Sequence, residues 1–466
     1  MSFRPMSYDS LCKILQHIEA NKRIEMALRI PSIRSAEKSV PLKIDNLFFD
    51  KCAFYVNQTK YEFGLYRHYG TQETPEFIRI QNSEKGSKND VDAYGFERYD
   101  WYRPLPGDFV MNTIEIEEPL PHDINTIKEK EREIRAIENR LNRFEAESRN
   151  IQNMGIMDWV KFSISYNPQE IDGSKSKLEK LRYQLQCYYC LRDNTPTPFK
   201  PYLQLTTTTF MNYRRYYFNQ RGIQKIELVE YKMTLPEAMK IILKVILGNR
   251  KHPVHVNNMR MTDEYIIRAP TDLKLKIQKL DIGGSLNRVW NTVSSIIHTS
   301  SLPLKELSVD KYYAVPPNLE LEIAKTAKKL ILRYERAGFD WLPFLLSLEN
   351  KSVEKEQSEL LVTEYIELVS SWVSNGKQVG TNFSFHTKKK KTVKEVVEQI
   401  IQQGLGTAKT DGRIMIPMQG CSELQVSYSK RGRDWYEDWI LKFKVVNLMD
   451  EVRDGVVYEM NKLNIQ

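Results

Sequence analysis

The sequence predicts an α+β fold, and three observations favour this class. Hydrophobic residues make up 41% and charged residues 28% of the 466 residues, as in ordinary soluble globular chains. Aromatic residues reach 11%, which is far more than disordered chains carry. Stretches with a helical period alternate along the chain with stretches whose apolar residues recur at every second position. At this length we expect more than one domain.

Residues 1 to 40 predict a short helical hairpin. An apolar stripe at i, i+3, i+4 and i+7 marks its first helix. The stripe consists of Leu11, Ile14, Leu15 and Ile18. A second short helix follows, because Ile24 and Leu28 are four residues apart and Pro31 stops the run. A hairpin of this size has little core of its own, so its stripe must pack on a partner or on the strands after residue 40.

Residues 41 to 120 predict a β-rich region. Apolar residues alternate with polar ones from Leu42 to Leu65, and residues 57 to 60 supply the turn of a hairpin. Pro104, Pro106 and Gly107 mark a loop.

Residues 121 to 198 predict a charged helical hairpin. Between His122 and Ile151 the apolar residues are spaced near 3.5 positions, as in a coiled-coil seam. Basic and acidic residues are equally frequent in this run, which indicates a solvated helix face rather than a basic arm. We expect an antiparallel partner helix from Lys177 to about Cys190, after a turn at Gly173 and Ser174.

Residues 199 to 466 predict a mixed α/β domain. Strand-like runs around Leu203 and Ile226 precede a helix that Thr234 caps and Gly248 ends. Three β-like pieces then recur at a spacing in the twenties, as leucine-rich repeats do. These pieces are residues 279–282, 304–309 and 329–332. Beyond them we expect helices at 361–374 and 393–402, a strand at 383–387, and mostly strands from Arg413 to a C-terminal helix.

The N-terminus and the cysteines predict an intracellular protein. The first residues lack the apolar core and cleavage site of a secretory signal. The most apolar stretch is interrupted by Lys240 and Lys244 and is too short to cross a membrane. Five scattered cysteines fit reduced thiols. We therefore expect a location in the cytoplasm or the nucleus and no membrane partner. The net charge of +9 permits nucleic acid as a partner without favouring it.

Enzyme signatures fail a comparison letter by letter. The segment from Gly404 to Thr410 resembles a phosphate loop, but Gln403 and Ala408 stand where that loop needs glycine. Cys187 and Cys190 have the spacing of a redox or zinc site, yet no second pair completes it. We therefore expect a non-enzymatic protein without catalytic residues, cofactor or metal.

Two basic features are candidate nucleic-acid contacts. The first places Arg214 and Arg215 among aromatic residues, as on surfaces that stack single strands, although the pattern favours a β-hairpin with arginines on its polar face. The second is the run Lys388, Lys389, Lys390 and Lys391. Such a run contacts phosphates or acts as a nuclear import signal. Its alternative is a solvated turn before the helix at 393–402.

Several longer sequence segments are distinctive. Near the N-terminus they are Pro5-Met-Ser-Tyr-Asp-Ser-Leu11, Asn21-Lys-Arg23, Pro31-Ser-Ile-Arg34 and Val40-Pro-Leu42. Further along they are Tyr61-Glu-Phe-Gly-Leu-Tyr-Arg67, Trp372-Val-Ser-Asn-Gly376, Gly380-Thr-Asn-Phe-Ser-Phe385 and Gln425-Val-Ser-Tyr428. Together these segments resemble the nematode F-box C family, whose members consist of a short F-box followed by a nematode-expanded domain of unknown function. The resemblance covers nearly the whole chain and is weakest at 122–195.

The resemblance implies an adaptor of a ubiquitin ligase. An F-box docks its apolar helical face on the Skp subunit of a cullin-RING ligase, and the following domain holds the protein to be ubiquitinated. The resemblance assigns the Skp contact to Pro5, Leu11, Leu15, Ile18, Ile24, Leu28 and Ile33. An unknown protein substrate would bind residues 200–466. The alternative is a stand-alone interaction protein, with nucleic acid bound through the two basic features.

Overall fold

The computed structural model describes residues 6–111, 124–149, 168–210, 222–262, 266–309, 322–333, 340–409, 413–431 and 438–447. Twelve α-helices lie within these residues. They are α1 Tyr8–His17, α2 Ala20–Arg29, α3 Arg34–Ser39, α4 Glu76–Ser83, α5 Ile124–Arg149, α6 Pro168–Asp193, α7 Leu235–Leu247, α8 Leu286–Val293, α9 Glu322–Thr326, α10 Trp341–Ser347, α11 Val362–Asn375 and α12 Lys390–Gln402. None of them is long and apolar enough to cross a membrane.

Nineteen strands lie within the same residues. They are β1 Lys43–Phe49, β2 Ala53–Val56, β3 Thr59–His68, β4 Asp90–Val91, β5 Glu97–Arg98, β6 Phe109–Val110, β7 Lys200–Phe210, β8 Gly222–Glu230, β9 Val254–Thr262, β10 Ile266–Ile267, β11 Leu275–Gly283, β12 Glu306–Val309, β13 Lys329–Leu332, β14 Ser352–Lys355, β15 Asn382–Thr387, β16 Thr407–Ala408, β17 Ile414–Pro417, β18 Ser422–Arg431 and β19 Asp438–Asn447. The α+β class predicted from the sequence is confirmed.

Fifteen of the strands form one mixed sheet. Their order is β16-β17-β18-β19-β15-β14-β13-β12-β11-β9-β1-β2-β3-β7-β8. The seven strands from β15 to β1 are parallel to one another. Antiparallel strands extend the sheet at both ends. Strands β1, β2 and β3 of segment 41–120 therefore share a sheet with twelve strands of segment 199–466, and one hydrophobic core spans both segments.

A row of buried apolar residues crosses the parallel strands. In register, these residues are Leu47, Met259, Leu280, Leu307, Leu330, Val353 and Phe383. Each is at most 1% exposed. The three β-like pieces predicted from the sequence lie in β11, β12 and β13, which are neighbours in the sheet. Short helices between successive strands pack into the same core, so each unit buries its leucine against the next, as in a solenoid.

The charged helical hairpin is present as α5 and α6. Its seam buries Ile134, Leu141, Ile171, Leu178 and Leu181. The pairs Lys130–Gln184 and Arg140–Glu170 show that the helices are antiparallel, as predicted. The predicted turn at Gly173 and Ser174 is wrong, because α6 begins at Pro168 and continues through both residues. Ile171 is 3% exposed in the seam, and its burial favours the helix against the glycine.

Other boundaries differ from the sequence expectation in small ways. Residues 6–40 form three short helices rather than the two predicted for residues 1–40, since α3 follows a 3-10 turn at Pro31–Ile33. Helix α4 was not predicted. Helix α12 begins three residues earlier than expected, at Lys390. The predicted C-terminal helix lies outside the described residues.

Gly173 offers a test of how the seam holds α6. It lies in the middle of a helix with open space around its missing side chain. We expect Gly173→Ala to raise the free energy of unfolding by about 0.5 to 1 kcal/mol, because alanine loses less backbone entropy in a helix. Gly376→Ala is the matched control. Gly376 also faces open space but has a φ of +74°, so that substitution should destabilise. Urea denaturation of both variants measures the two signs.

Glu62 on β3 binds the segment that follows α4. Its carboxylate lies 3.0 Å from Lys60, 3.0 Å from Lys85 and 3.1 Å from Lys88. Burial raises the pKa of Glu62, but the three ammonium groups outweigh burial and lower the pKa to about 2, below the 4.5 of a free side chain. The charged carboxylate therefore stabilises the fold above pH 4.5, and this contribution is lost as the pH falls toward 2.

We therefore expect Glu62→Gln to lower the free energy of unfolding at pH 7 by about 2 to 3 kcal/mol. The difference from the wild type should shrink as the pH falls from about 4.5 toward 2. Glu76→Gln, on a carboxylate that is 63% exposed and paired with Arg79, should show no such trend. Urea denaturation across this pH range is the measurement. A constant difference at all pH values would contradict the assignment.

Candidate functional site

The N-terminal helices form a small unit around one leucine. Ser7 caps α1 by accepting a hydrogen bond from the Ser10 amide. Leu15 is 0% exposed and packs against Ala36 and Val40 of the α3 region. Leu15 therefore lies in the interior of the unit.

A buried ion triad joins this unit to the sheet. Glu37 of α3 accepts from Arg23 of α2 at 2.9 Å and from Arg250, after α7, at 2.7 Å. Glu37 and Arg23 are 0% and 2% exposed. Arg23 also donates to the carbonyl of Pro41 at 2.8 Å, and Arg250 donates to that of Ile246 at 2.7 Å. The carboxylate thus bridges two segments more than 200 residues apart.

A second link ties α2 to the turn between β2 and β3. Glu19 caps α2 through the amides of Asn21 and Lys22, and its other oxygen accepts from Asn57 Nδ2 at 2.8 Å. Asn57 has a φ of +53°, and its own side-chain oxygen accepts from the amides of Asp45 and Asn46. The three helices are therefore held in a fixed position relative to the sheet.

The residues assigned to Skp contact fall into three groups. Leu15 and Ile24 are 0% and 1% exposed inside the chain, so they are not available to a partner. This corrects the expectation of direct contact, and packing on Val40 and on the sheet core is the reason. The half-buried group consists of Leu11, Ile18, Leu28 and Ile33. Each of these residues exposes part of its side chain to solvent. Pro5 lies outside the described residues.

Other apolar side chains of the unit are exposed. They are Met6, Tyr8, Ile14 and Ile30, at 59%, 54%, 44% and 43%. Leu11 and Ile14 lie three residues apart on α1, and Ile18 is the residue that caps its C-terminal end. Leu11 and Ile18 also pack against the cluster around Leu15, so Ile14 is the most exposed of the three. Ile14 belongs to the apolar stripe but is not among the residues that the resemblance assigns to Skp contact. In so small a unit, some residues of the apolar stripe are buried and others are exposed. Periodicity alone does not show which residues are which.

A polar row on the face of the parallel strands that points away from the core is the second candidate surface. Side chains alternate between faces along a strand, so the residues just before the buried row point away from the core. In register, these residues are Asn46, Asn258, Lys279, Glu306, Lys329, Ser352 and Asn382. All are half-exposed and polar. Neighbours pair across strands, as Lys279 does with Glu306 at 3.2 Å.

The four lysines of the basic run are exposed. Lys388 and Lys389 line a cavity of about 320 Å³ at the carboxyl ends of β14 and β15. The acidic side chains of that cavity are Glu356, Glu359 and Asp438. Lys390 and Lys391 lie in the first turn of α12, and Lys391 pairs with Glu395 at 3.5 Å. The mixture of charges does not resemble a phosphate site. Arg214 and Arg215 lie outside the described residues.

Cys187 and Cys190 both lie in α6 and are buried. Burial raises the pKa of the Cys187 thiol to about 12, which keeps it protonated at neutral pH. Within the described residues no three His, Cys, Asp or Glu side chains are grouped as a metal site would require. The two cysteines therefore serve as buried apolar side chains.

The triad makes a measurable contribution to stability. Glu37→Gln removes the charge between two buried guanidinium groups, and we expect it to lower the free energy of unfolding by about 3 kcal/mol or more. Glu25→Gln is the matched control, because Glu25 also pairs with two basic residues on α2 but is 44% exposed. That change should cost about 0.5 kcal/mol or less. Equal losses in urea denaturation would contradict the role of the triad.

A family model matches part of the chain. It is described as a domain of unknown function (DUF3557) and matches residues 234–389. The match begins at Thr234, the cap of α7, and ends directly before α12. It therefore contains β9 and the five parallel strands from β11 to β15. Comparison with curated proteins and with solved structures gave no significant match. A DUF3557 domain is thus found within the chain, at residues 234–389.

Proposed function

We propose that the protein is a non-catalytic substrate-recognition adaptor of a Skp-cullin-F-box ubiquitin ligase. Residues 6–39 dock on a Skp-type subunit, and the sheet domain holds a protein substrate. The observation that carries the proposal is the exposed apolar side chain of Ile14 on α1, which is flanked by the half-buried Leu11 and Ile18 on a unit locked to the sheet. Apolar helix faces of this kind dock into the grooves of partner proteins.

The rigid connection supports the adaptor role. A ligase adaptor raises the local concentration of substrate near the transfer site, and this effect depends on a fixed distance between its two binding surfaces. The Arg23–Glu37–Arg250 triad and the Glu19–Asn57 hydrogen bond supply that constraint between the helices and the sheet.

The substrate surface in this proposal is the polar row on the parallel strands. Stacked short units with a polar, half-exposed row form the extended binding surfaces of solenoid proteins. The row from Asn46 to Asn382 runs across seven strands and combines amide, hydroxyl, acidic and basic groups. Such a row suits hydrogen bonding to a folded protein surface. The proposed place of action is the cytoplasm or the nucleus.

A stand-alone interaction protein is the second candidate, and the exposure of Lys388 to Lys391 is the observation that favours it. Nucleic acid bound through these lysines would dissociate steeply with rising salt, because counterions are released on binding. An apolar helix interface would not. A salt titration of any complex that the protein forms therefore separates the two functions.

Ile14 tests the docking surface. We expect Ile14→Asp to weaken binding of a Skp-type protein at least tenfold, because a charge replaces an apolar contact at the centre of the surface. Ile401→Asp is the matched control. Ile401 is also 44% exposed and also lies near the end of its helix, α12, which packs at the β19 end of the sheet. Leu15→Asp is unsuitable, since Leu15 is interior and its loss would unfold the unit.

The measurement is titration of each full-length variant with a Skp-type protein from the same source, after circular dichroism shows equal folding. Loss of binding in Ile14→Asp alone supports the adaptor function. A folded wild-type chain that does not bind Skp, or an Ile14→Asp variant that binds as well as the control, contradicts it.

A further inference from the structure

The last strand of the large sheet, β8, is unusually exposed. All nine residues from Gly222 to Glu230 are exposed or half-buried. Its large apolar side chains are Ile223, Ile226, Leu228 and Val229, at 66%, 54%, 47% and 59% exposed. β7 is its only strand partner among the described residues, and none of them pairs with the outer edge of β8.

The opposite end of the sheet is protected and β8 is not. That end is β16, which has only two residues, and a very short edge strand offers little for another chain to pair with. Strand β8 is long, contains no proline and carries four exposed apolar side chains. An edge of this kind recruits an additional strand.

The sequence of β8 is complementary to itself. When two copies run antiparallel and are centred on Ile226, residues whose numbers sum to 452 lie opposite each other. Lys225 then faces Glu227 of the partner subunit, and Ile223 faces Val229 of the partner subunit. The two-fold axis repeats both pairs, and Ile226 meets its own copy. Directly opposed residues share a face of the sheet, with Cα atoms about 5 Å apart, so each pair is in contact.

Within one chain, Lys225 and Glu227 are already close to each other on one face of β8, with their side chains 50% and 49% exposed. They lie along the rim of a cavity of about 500 Å³ between β8, β7, β3 and α2. In the dimer, Lys225 and Glu227 would also form ion pairs with their counterparts in the partner subunit. The added strand would cover part of the apolar surface of β8. No residue of α1 takes part.

We propose that the protein forms a two-fold symmetric homodimer by antiparallel pairing of β8 with β8 of a second copy, centred on Ile226. The interface is isologous, since each copy contributes the same strand. The backbone edge provides affinity, and the reciprocal Lys225–Glu227 pairs fix the register. The dimer does not depend on the adaptor function.

Charge reversal tests the register. Lys225→Glu alone places like charges opposite each other twice, and so does Glu227→Lys alone, so we expect each single variant to raise the dimer dissociation constant about tenfold. A mixture of the two variants restores opposite charges at both positions. The mixture should therefore dimerise as strongly as the wild type. Pairing within one chain cannot produce this rescue, because mixing leaves each chain's own charges unchanged.

The measurement is sedimentation velocity of the full-length chain over a concentration series, for the wild type, each variant and the mixture. Lys391→Glu is the matched control, because Lys391 also pairs with a glutamate of its own element, the helix α12, which contacts β19 and not β8. It should leave the dimer unchanged. A wild-type chain that stays monomeric throughout the series overturns the proposal. So does a dimer that neither single variant weakens, or single variants whose mixture shows no recovery.

Discussion

The position of the N-terminal helices depends on one buried carboxylate. Glu37 accepts from Arg23 in its own helical unit and from Arg250 beyond α7, and all three side chains are almost fully buried. A buried charge is costly unless it is paired, so the helices cannot move off the sheet without exposing or orphaning two guanidinium groups. The apolar packing of Leu15 and Ile24 adds to the same constraint. Any partner that binds α1 thus meets a surface whose orientation toward the sheet is already set.

The sheet shows how distant segments of the chain become one body. Strand β1 pairs in parallel with β9, more than 200 residues later, and this pairing inserts β1 to β3 between β9 and β7, which both belong to segment 199–466. The apolar row from Leu47 to Phe383 then runs through strands of both segments, 41–120 and 199–466, without interruption. The same architecture separates the polar row from β8. The polar row faces away from the core helices, whereas β8 is the last strand of the sheet.

The candidate docking residues show where sequence reasoning succeeded and where it failed. The stripe at Leu11, Ile14, Leu15 and Ile18 predicted the first helix correctly. Its selected contact residues included Leu15 and Ile24, which are interior, and omitted Ile14, which is exposed. Amphipathic periodicity identifies an apolar side but not what covers it. The turn expected at Gly173 failed for a related reason, because the burial of Ile171 against α5 is invisible in the local sequence.

By itself, the sequence determined the elements whose signals are local. The cap at Thr234 and the stop at Gly248 bound α7, the heptad-like spacing marked α5, and the spacing in the twenties anticipated the neighbouring strands β11, β12 and β13. Only the tertiary structure decided the rest. It joined β1 to β9, buried Glu37 between two arginines and left β8 at an open edge. Pairing and burial of this kind are set by contacts between residues far apart in the chain, and no periodicity within a segment encodes which partner it meets.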